Sequence, residues 1–399
     1  MQGQDSYNSF RISSGGLITR FFNRVKVQRP GDYSIRRRIV LFITVCWLPL
    51  FILSYMEGNL LNNKLDLPFL YDLKPYIRYL IVLPLLIVAE TIIDPLIAYV
   101  LQSINNSGII GDEKDKQQYR LAIKKLDARK NSVIADIVIL IVSLSTIMSF
   151  LLSLEKLDVS TDFTNWLVVH NGSDPTLTYT GWWFLLVSSP LLQIILFRWF
   201  WRFYLWGEFL YRVSRINLNL QPTHPDLSGG LGILKNGENA FILLFFSLGI
   251  MLSVSLAEEI IYTDMTFQMS IPIASAYVIT SIILMVFPMF FFTRQLIIAR
   301  VKGRVKYGAL GYRLSRSFDE KWANPEDLSN GDELLKTADA SAVCDYSDIY
   351  DVVGQMRITP VSIRTHITQA IALIVPFLPL VFTEWAFVDV FKRVLDTLI

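Results

Sequence analysis

Residues 182–206 decide the fold, and they read WWFLLVSSPLLQIILFRWFWRFYLW. The first part of this stretch is apolar and, with its flanks, reaches the ~20 residues that a helix needs to cross a hydrocarbon layer. Arginines then appear among the aromatics, and the chain continues to a polar loop at 223–232, THPDLSGGLG. Aromatic and basic residues are enriched where membrane helices meet water. The stretch therefore predicts a membrane helix that leads into a polar loop at one membrane face.

Apolar runs of similar length recur along the chain of 399 residues. Charged residues make up only 18% of the chain, against about 25% in average soluble proteins. We predict an all-α integral membrane protein with six to seven transmembrane helices and a helical cytoplasmic segment. The last run contains Pro376 and Pro379 and can cross or re-enter; we favour a crossing. The predicted runs are 39–56, 77–101, 133–154, 182–205, 240–257, 271–293 and 367–385.

Positive charge is concentrated in alternate connections between these runs. Cytoplasmic loops of membrane proteins have an excess of Lys and Arg, so the N-terminus is predicted to be cytoplasmic. The predicted parts are a basic arm at 1–38, a six-helix bundle at 39–293 with cytoplasmic loops at 102–131 and 206–239, a cytoplasmic segment at 294–366, and a membrane helix with an amphipathic tail at 367–399.

The overall composition argues against several classes of ligand. The net charge is only +2, so nothing in the total charge favours nucleic acid. Cys46 and Cys344 are the two cysteines, and the chain has three histidines, which makes a thiolate or multi-histidine metal site implausible. We predict no metal and no cofactor. The lipid bilayer is the predicted partner, and a homo-oligomer or a cytoplasmic protein partner stays open.

Ionisable residues inside the predicted helices are the first candidates for function. Glu90 and Asp94 are four residues apart and share one helix face, and Asp136 lies one turn into the third helix. A charged carboxylate at membrane depth is costly unless it is paired, protonated or facing water. Arg198 and Arg202, also four apart, can balance these carboxylates. The alternatives are that Asp94 only ends a helical turn and that the arginines reach toward lipid phosphates among belt aromatics, which we weight more heavily for the arginines and their aromatic neighbours.

The polar loop is the second candidate. His224 and Asp226 can orient a base, and Gly229 and Gly230 can expose backbone amides to an anion. The competing explanation, which we weight more heavily, is a tight turn in which Asp226 caps backbone N–H groups.

The same loop resembles a known pattern. Residues 222–232, PTHPDLSGGLG, look like a family of bacterial multi-pass inner-membrane proteins of uncharacterised activity, whose pattern is Pro-Thr-His-Pro-Asp-x-x-Gly-Gly-Leu-Gly. A second patch at 352–357, VVGQMR, is similar too, and the likeness covers most of 180–399. The resemblance implies a bacterial cytoplasmic membrane and implies no catalytic residue.

Three functions remain as hypotheses. The first is a channel- or transporter-like protein in which Glu90, Asp94, Asp136, Arg198 and Arg202 line a path for an ion or small solute. The second is a membrane sensor or scaffold whose cytoplasmic segment binds a partner. The third and weakest is an enzyme that acts through His224 and Asp226, because no nucleophile or second base accompanies them.

Overall fold

The computed structural model describes residues 10–16, 35–61, 65–154, 165–171, 174–263, 265–323, 334 and 337–384. Most of the predicted basic arm and the predicted amphipathic tail lie outside the described residues. The part of the chain that the structure describes is 79% helical with almost no strand, which confirms the predicted all-α class. Within the described part, seven helical runs are long and apolar enough to cross a membrane, which is compatible with a multi-pass membrane protein.

The helices begin and end close to the predicted runs, but several are longer. The seven candidate spans are α1 Ile35–Met56, α2 Leu73–Asn106, α4 Val133–Leu154, α5 Tyr179–Val213, α6 Leu231–Tyr262, α7 Phe267–Trp322 and α9 Ile363–Thr383. The other elements are the surface helix α3 Glu113–Lys130, helix α8 Asp339–Gln355, and strands β1 Val168–Asn171 and β2 Asp174–Leu177.

Prolines account for most of the irregular turns inside these helices. A π-helical turn precedes Pro84 in α2 and another precedes Pro190 in α5, and 3-10 turns contain Pro288, Pro376 and Pro379. Proline lacks a backbone N–H and its ring clashes with the carbonyl four residues earlier, so the local helix must widen or tighten. Pro95 and Pro272 stay within regular α-helix.

Helix α2 is at the centre of the bundle. It buries a continuous face that includes Leu86, Ile93, Ile97 and Leu101, and it packs against α1 and α6. Helix α4 is at the periphery, packs on α5 and leaves apolar side chains such as Ile134 and Met148 exposed. Exposed apolar residues on a peripheral helix are expected where lipid replaces water.

The two ends of the bundle differ in charge and structure. At one end, which we call the basic end, α3 packs on α5, and Tyr119 of α3 donates to the carbonyl of Leu101 at 2.8 Å. At the opposite end the β1–β2 hairpin, which was not predicted, lies beside Trp166, whose Nε1 donates to Asp72 at 2.8 Å. Among the described residues, several helices begin with a side chain that accepts a hydrogen bond from a backbone N–H of the first turn. These N-cap residues are Asp72, Thr178, Thr266 and Ser362.

Helix α7 continues well beyond the predicted span. Its extension, Thr293–Trp322, leaves the bundle at the basic end and packs along α8, and we call these two elements the helix pair. Arg300 and Arg304 donate to the carbonyl of Gly354 at 3.0 and 2.9 Å. This carbonyl lies at the C-terminus of α8, where positive charge is favourable.

Candidate functional site

The predicted site residues in the helices meet in one cluster. Glu90 lies between two guanidinium groups, with Arg38 Nη1 at 2.6 Å from Oε2 and Arg202 Nη2 at 2.7 Å from Oε1. All three side chains are buried, with Glu90 8% exposed. Each carboxylate oxygen therefore accepts a charge-assisted hydrogen bond, the stronger kind of pairing. Arg202 was considered as a partner for this carboxylate, beside the more heavily weighted contact with lipid phosphates. Arg38 was missed, although it ends a run of three arginines at the start of α1.

Asp94 is held by a segment of the chain that sequence reasoning did not connect with it. Ser13 donates to its carboxylate twice, from the backbone N at 2.9 Å and from Oγ at 2.5 Å. The carbonyl of Ser13 in turn accepts from Arg202 Nη2 at 3.0 Å. The N-terminal segment, residues 10–16, thus lies inside the bundle against α2 and α5. Phe10 and Ile12 are both buried, and these two apolar residues in a polar arm were the available sign of its packing.

The remaining predicted arginine also binds this segment. Arg198 donates to the carbonyl of Gly15 at 2.6 Å, and its Nη1 lies 3.7 Å from the carboxylate of Asp136. Lys130, at the end of α3, donates to the carbonyl of Arg11 at 3.0 Å. Three cations thus hold three carbonyls of the N-terminal segment. The charged network consists of Arg38, Glu90, Asp94, Asp136, Arg198 and Arg202.

The charges of the network balance, and its position is close to the basic end. Arg38 and Asp136 are each the fourth residue of their helix, so both lie about one turn from the helix end at the basic end. Three guanidinium groups face three carboxylates. Breaking a buried pair of this kind costs much more than removing both partners. Arranged in this way, the network can join α1, α2, α4 and α5 to the N-terminal segment.

The polar loop is organised around one carboxylate. Asp226 accepts from the backbone N–H groups of Ser228, Gly230 and Gly232 at 2.8, 3.1 and 2.8 Å. His224 Nδ1 lies 2.8 Å from Asp226 Oδ1. Burial by itself raises the pKa of Asp226, but these hydrogen bonds outweigh it and hold the pKa below its usual value. The loop amides are thus bonded to a carboxylate of the same loop.

Left-handed backbone makes this arrangement possible. Leu227, Gly229 and Gly230 all have positive φ, at 55°, 65° and 100°. Glycine adopts such angles without a steric penalty. A Cβ on Gly229 would also lie 3.0 Å from Leu220 and 3.1 Å from Met356, so the loop passes close to the second patch, residues 352–357.

Several hydrogen bonds join the loop to that patch. Arg357 Nη2 donates to the carbonyl of Asp226 at 2.8 Å, and the backbone N of Arg357 donates to Leu227 at 2.7 Å. Ser228 Oγ donates to the carbonyl of Pro360 at 3.0 Å. The two separate stretches of sequence therefore form one structural unit, which leads directly into α9.

A second polar cluster, which was not predicted, lies where α6 and α9 start. Glu238 is 3% exposed, and His366 Nδ1 lies 3.4 Å from its carboxylate. Gln369 donates to Asn239 at 2.8 Å and lies 3.1 Å from His366. No three His, Cys, Asp or Glu side chains among the described residues form a group that could hold a metal ion.

Comparison with known proteins adds no relative. No family model matches the chain, and neither a curated protein nor a solved structure is similar to it.

Proposed function

We propose that the chain is a multi-pass protein of a bacterial cytoplasmic membrane, with the basic end in the cytoplasm. The concentration of Lys and Arg in the N-terminal arm, α3 and the α7 extension supports this orientation. The resemblance of the loop at 222–232 to bacterial inner-membrane proteins supports the location. The lipid bilayer is then the first partner of the exposed apolar faces.

Within that membrane, a sensor or scaffold is the function that the geometry favours. The observation behind it is the pairing of Glu90 and Asp94 with Arg38, Arg202 and Ser13. Carboxylates that line an ion path need water or the ion as partners. Here their partners are side chains and backbone of the same chain, which suits a network that holds helices together.

The helix pair supplies the surface that a cytoplasmic protein can bind. On α8, Asp345, Asp348 and Asp351 recur every three residues and all are exposed, so they form one acidic face. Ile349 and Tyr350 are 42% and 41% exposed beside them. An acidic face with exposed aromatic and aliphatic side chains fits a basic partner with an apolar centre.

The test compares a charge-reversed face with a matched control. The variant D345K/D348K is expected to lose the proteins that wild type retains after crosslinking in native membranes. The control D112K/E113K reverses two exposed carboxylates at the start of α3, outside the helix pair, and is expected to keep them. Quantitative mass spectrometry of the co-purified proteins is the measurement. Equal sets of proteins in all three samples would contradict the partner surface.

A channel- or transporter-like protein is the second candidate, and one observation favours it. The N-terminal segment occupies the space between Asp94, Arg198 and Arg202. If the segment left, Asp94 would lose both hydrogen bonds from Ser13, and water or an ion could take their place near the carboxylate. Ion flux into vesicles by a variant lacking residues 1–16, but not by that variant with D94N, would support this candidate. Absence of flux in both would exclude it.

A further inference from the structure

A polar groove at the basic end is separate from the charged network. It consists of two adjoining cavities of about 570 and 430 Å³ between the α7 extension and residues 214–222. Both cavities are lined by Asn217, Gln295 and Ile298, so they form one continuous groove. Gln295 fixes the far wall, because its Nε2 donates to the carbonyls of Ser214 and Ile216 at 2.7 and 2.8 Å.

Positive charge is concentrated along this groove. Arg215 and Arg294 line the first cavity, and Lys302 and Lys306 line the second. All four side chains are exposed, and none of the residues that line either cavity is acidic. Among the described residues none of the four has an ion pair, and Arg215 only contacts Tyr211, by a hydrogen bond and over its ring.

The spacing of these cations places them on one side of the α7 extension. Arg294, Lys302 and Lys306 are separated by eight and four residues, so they follow one stripe of the helix. Like charges four residues apart on a helix repel each other. A bound anion would relieve this repulsion. The opposite wall offers further donors, because the side chains of Asn217, Asn219 and Gln221 are exposed at every second position of residues 217–221. A hydrogen bond from the backbone N–H of Asn219 to the carbonyl of Ile109, at 2.7 Å, holds this stretch in place.

One end of the groove is apolar and faces the bundle. The first cavity is also lined by Tyr211, Ile216 and Phe291, at the point where α7 leaves the apolar span. On the same helix Phe287 and Phe290 are 57% and 55% exposed, as expected for residues in contact with lipid. A ligand that fits therefore has a phosphate for the arginines and an apolar part for the aromatics.

We propose that this groove binds the headgroup of an anionic phospholipid, with its phosphate between Arg215 and Arg294 and its acyl chains beside Phe291. Lys302 and Lys306 extend the positive potential away from the bundle and attract further negative charge. The proposal is independent of the sensor or scaffold function, because it concerns only the groove and the membrane beside it.

The experiment is lipid titration of the purified full-length protein, followed by native mass spectrometry. The groove variant is R215Q/R294Q/K302Q/K306Q. The control K114Q/K124Q/K125Q/R313Q removes the same number of positive charges from exposed positions elsewhere. Dioleoyl-phosphatidylglycerol is the anionic lipid and dioleoyl-phosphatidylcholine the neutral comparison. Thermal unfolding of each variant establishes that it is folded.

The groove variant is expected to bind phosphatidylglycerol at least ~10-fold more weakly, since each basic side chain near a membrane surface contributes to attraction of anionic lipid. The control is expected to stay within ~2-fold of wild type, because its cations lie outside the groove. Equal losses in the two variants, or unchanged binding in the groove variant, overturn the proposal. Displacement of the lipid by excess inorganic phosphate would assign the groove to a soluble phosphate compound and would also overturn it.

Discussion

Glu90 shows how a carboxylate is tolerated inside an apolar bundle. Both of its oxygens are bonded to guanidinium groups, and the helices that contribute those groups are different. Removing Glu90 leaves Arg38 and Arg202 buried without it. An unpaired buried charge is more costly than an absent pair. The loss of stability on removing Glu90 and one arginine together should therefore be smaller than the sum of the two separate losses.

We therefore expect E90Q to lower the free energy of unfolding by about 3–5 kcal/mol. The double variant E90Q/R202Q is expected to be less destabilised than the sum of its single variants, since it also removes one of the unpaired cations. Thermal unfolding in detergent measures both. E259Q, at an exposed carboxylate on α6, is the control and should be close to wild type. Additive effects of E90Q and R202Q would contradict the proposed coupling.

At Asp226 the expected effect depends on pH. D226N is expected to lower the free energy of unfolding, because it weakens the hydrogen bonds from the backbone N–H groups of Ser228, Gly230 and Gly232. A hydrogen bond to a charged group contributes about 1.5–3 kcal/mol. The folded-state pKa of Asp226 is lowered. The stability that it contributes is therefore complete above the unfolded pKa of ~3.9 and is lost as the pH falls through the lower folded pKa.

Thermal unfolding of wild type and D226N at pH 7 and near pH 3 tests this, because the difference between them should shrink in acid. H224A is the matched control. It is expected to cost less, since His224 is about half exposed and the three backbone bonds remain without it. A larger loss of stability in H224A than in D226N would mean that His224, and not Asp226, is the main stabilising side chain of the loop.

Some of these residue contacts follow from sequence and others do not. Pairing of Arg198 and Arg202 with carboxylates was one of two hypotheses from the sequence, because opposite charges in an apolar region stabilise each other, but contact with lipid phosphates was weighted more heavily. Which carboxylate each arginine meets depends on helix rotation, which the sequence does not specify. Ser13 is 81 residues from Asp94 along the chain, and no local pattern connects two such distant positions.

At the scale of elements, the N-terminal segment is the unexpected one. Residues 10–15 have no regular secondary structure, and the carbonyls of the segment are bound by Lys130, Arg198 and Arg202. Gly16 is the point of closest approach. It has a φ of +80°, and a Cβ there would lie 2.5 Å from Asp136 Oδ2 and 3.1 Å from Arg198 Nη2.

G16A is therefore expected to displace the segment and to speed hydrogen exchange of the amides of residues 10–16. The control is G108A, because Gly108 also has a positive φ, +77°, but a Cβ there would meet nothing within 4 Å. Both variants strain the backbone, and only G16A adds a clash. Hydrogen exchange measured by mass spectrometry should show lost protection in G16A alone. The same loss in G108A would attribute the effect to backbone strain and not to packing.

The helix pair gives a second prediction at this scale. The double variant R300Q/R304Q removes both guanidinium donors to the carbonyl of Gly354. It is expected to increase hydrogen exchange in the last turns of α8, since exposed bonds of this kind contribute about 1 kcal/mol each. R313Q is the control, on the same helix and away from that carbonyl. Unchanged exchange in α8 would mean that other contacts, such as the hydrogen bond from Tyr346 to the carbonyl of Tyr307 on α7, are sufficient to hold it.

Element boundaries could be predicted where local chemistry decides them. The prolines at positions 84, 190, 288, 376 and 379 mark irregular turns because each removes a donor. A helical segment after residue 293 was predicted, but its unbroken continuation from α7 was not, because its residues pack on partners in α8 that lie 39 to 54 positions later in the chain. The β1–β2 hairpin was also missed, since its position depends on contacts with residues 67–72.

The whole molecule is a bundle with one basic end, and its orientation in a membrane can be measured directly. The two native cysteines are useful for this, because Cys46 is fully buried and Cys344, on α8 at the basic end, is exposed. A membrane-impermeant maleimide should therefore react with Cys344 only. If the basic end is cytoplasmic, labelling should occur in inside-out vesicles and not in intact spheroplasts.

The reversed control is C344S/T176C, which moves the only exposed thiol among the described residues to β2 at the opposite end. That variant should react in spheroplasts, because three candidate spans, α5, α6 and α7, separate Thr176 from Cys344 along the chain. Labelling of both proteins from the same side would mean that the hairpin and the helix pair are not separated by the membrane, and the proposed topology would be wrong.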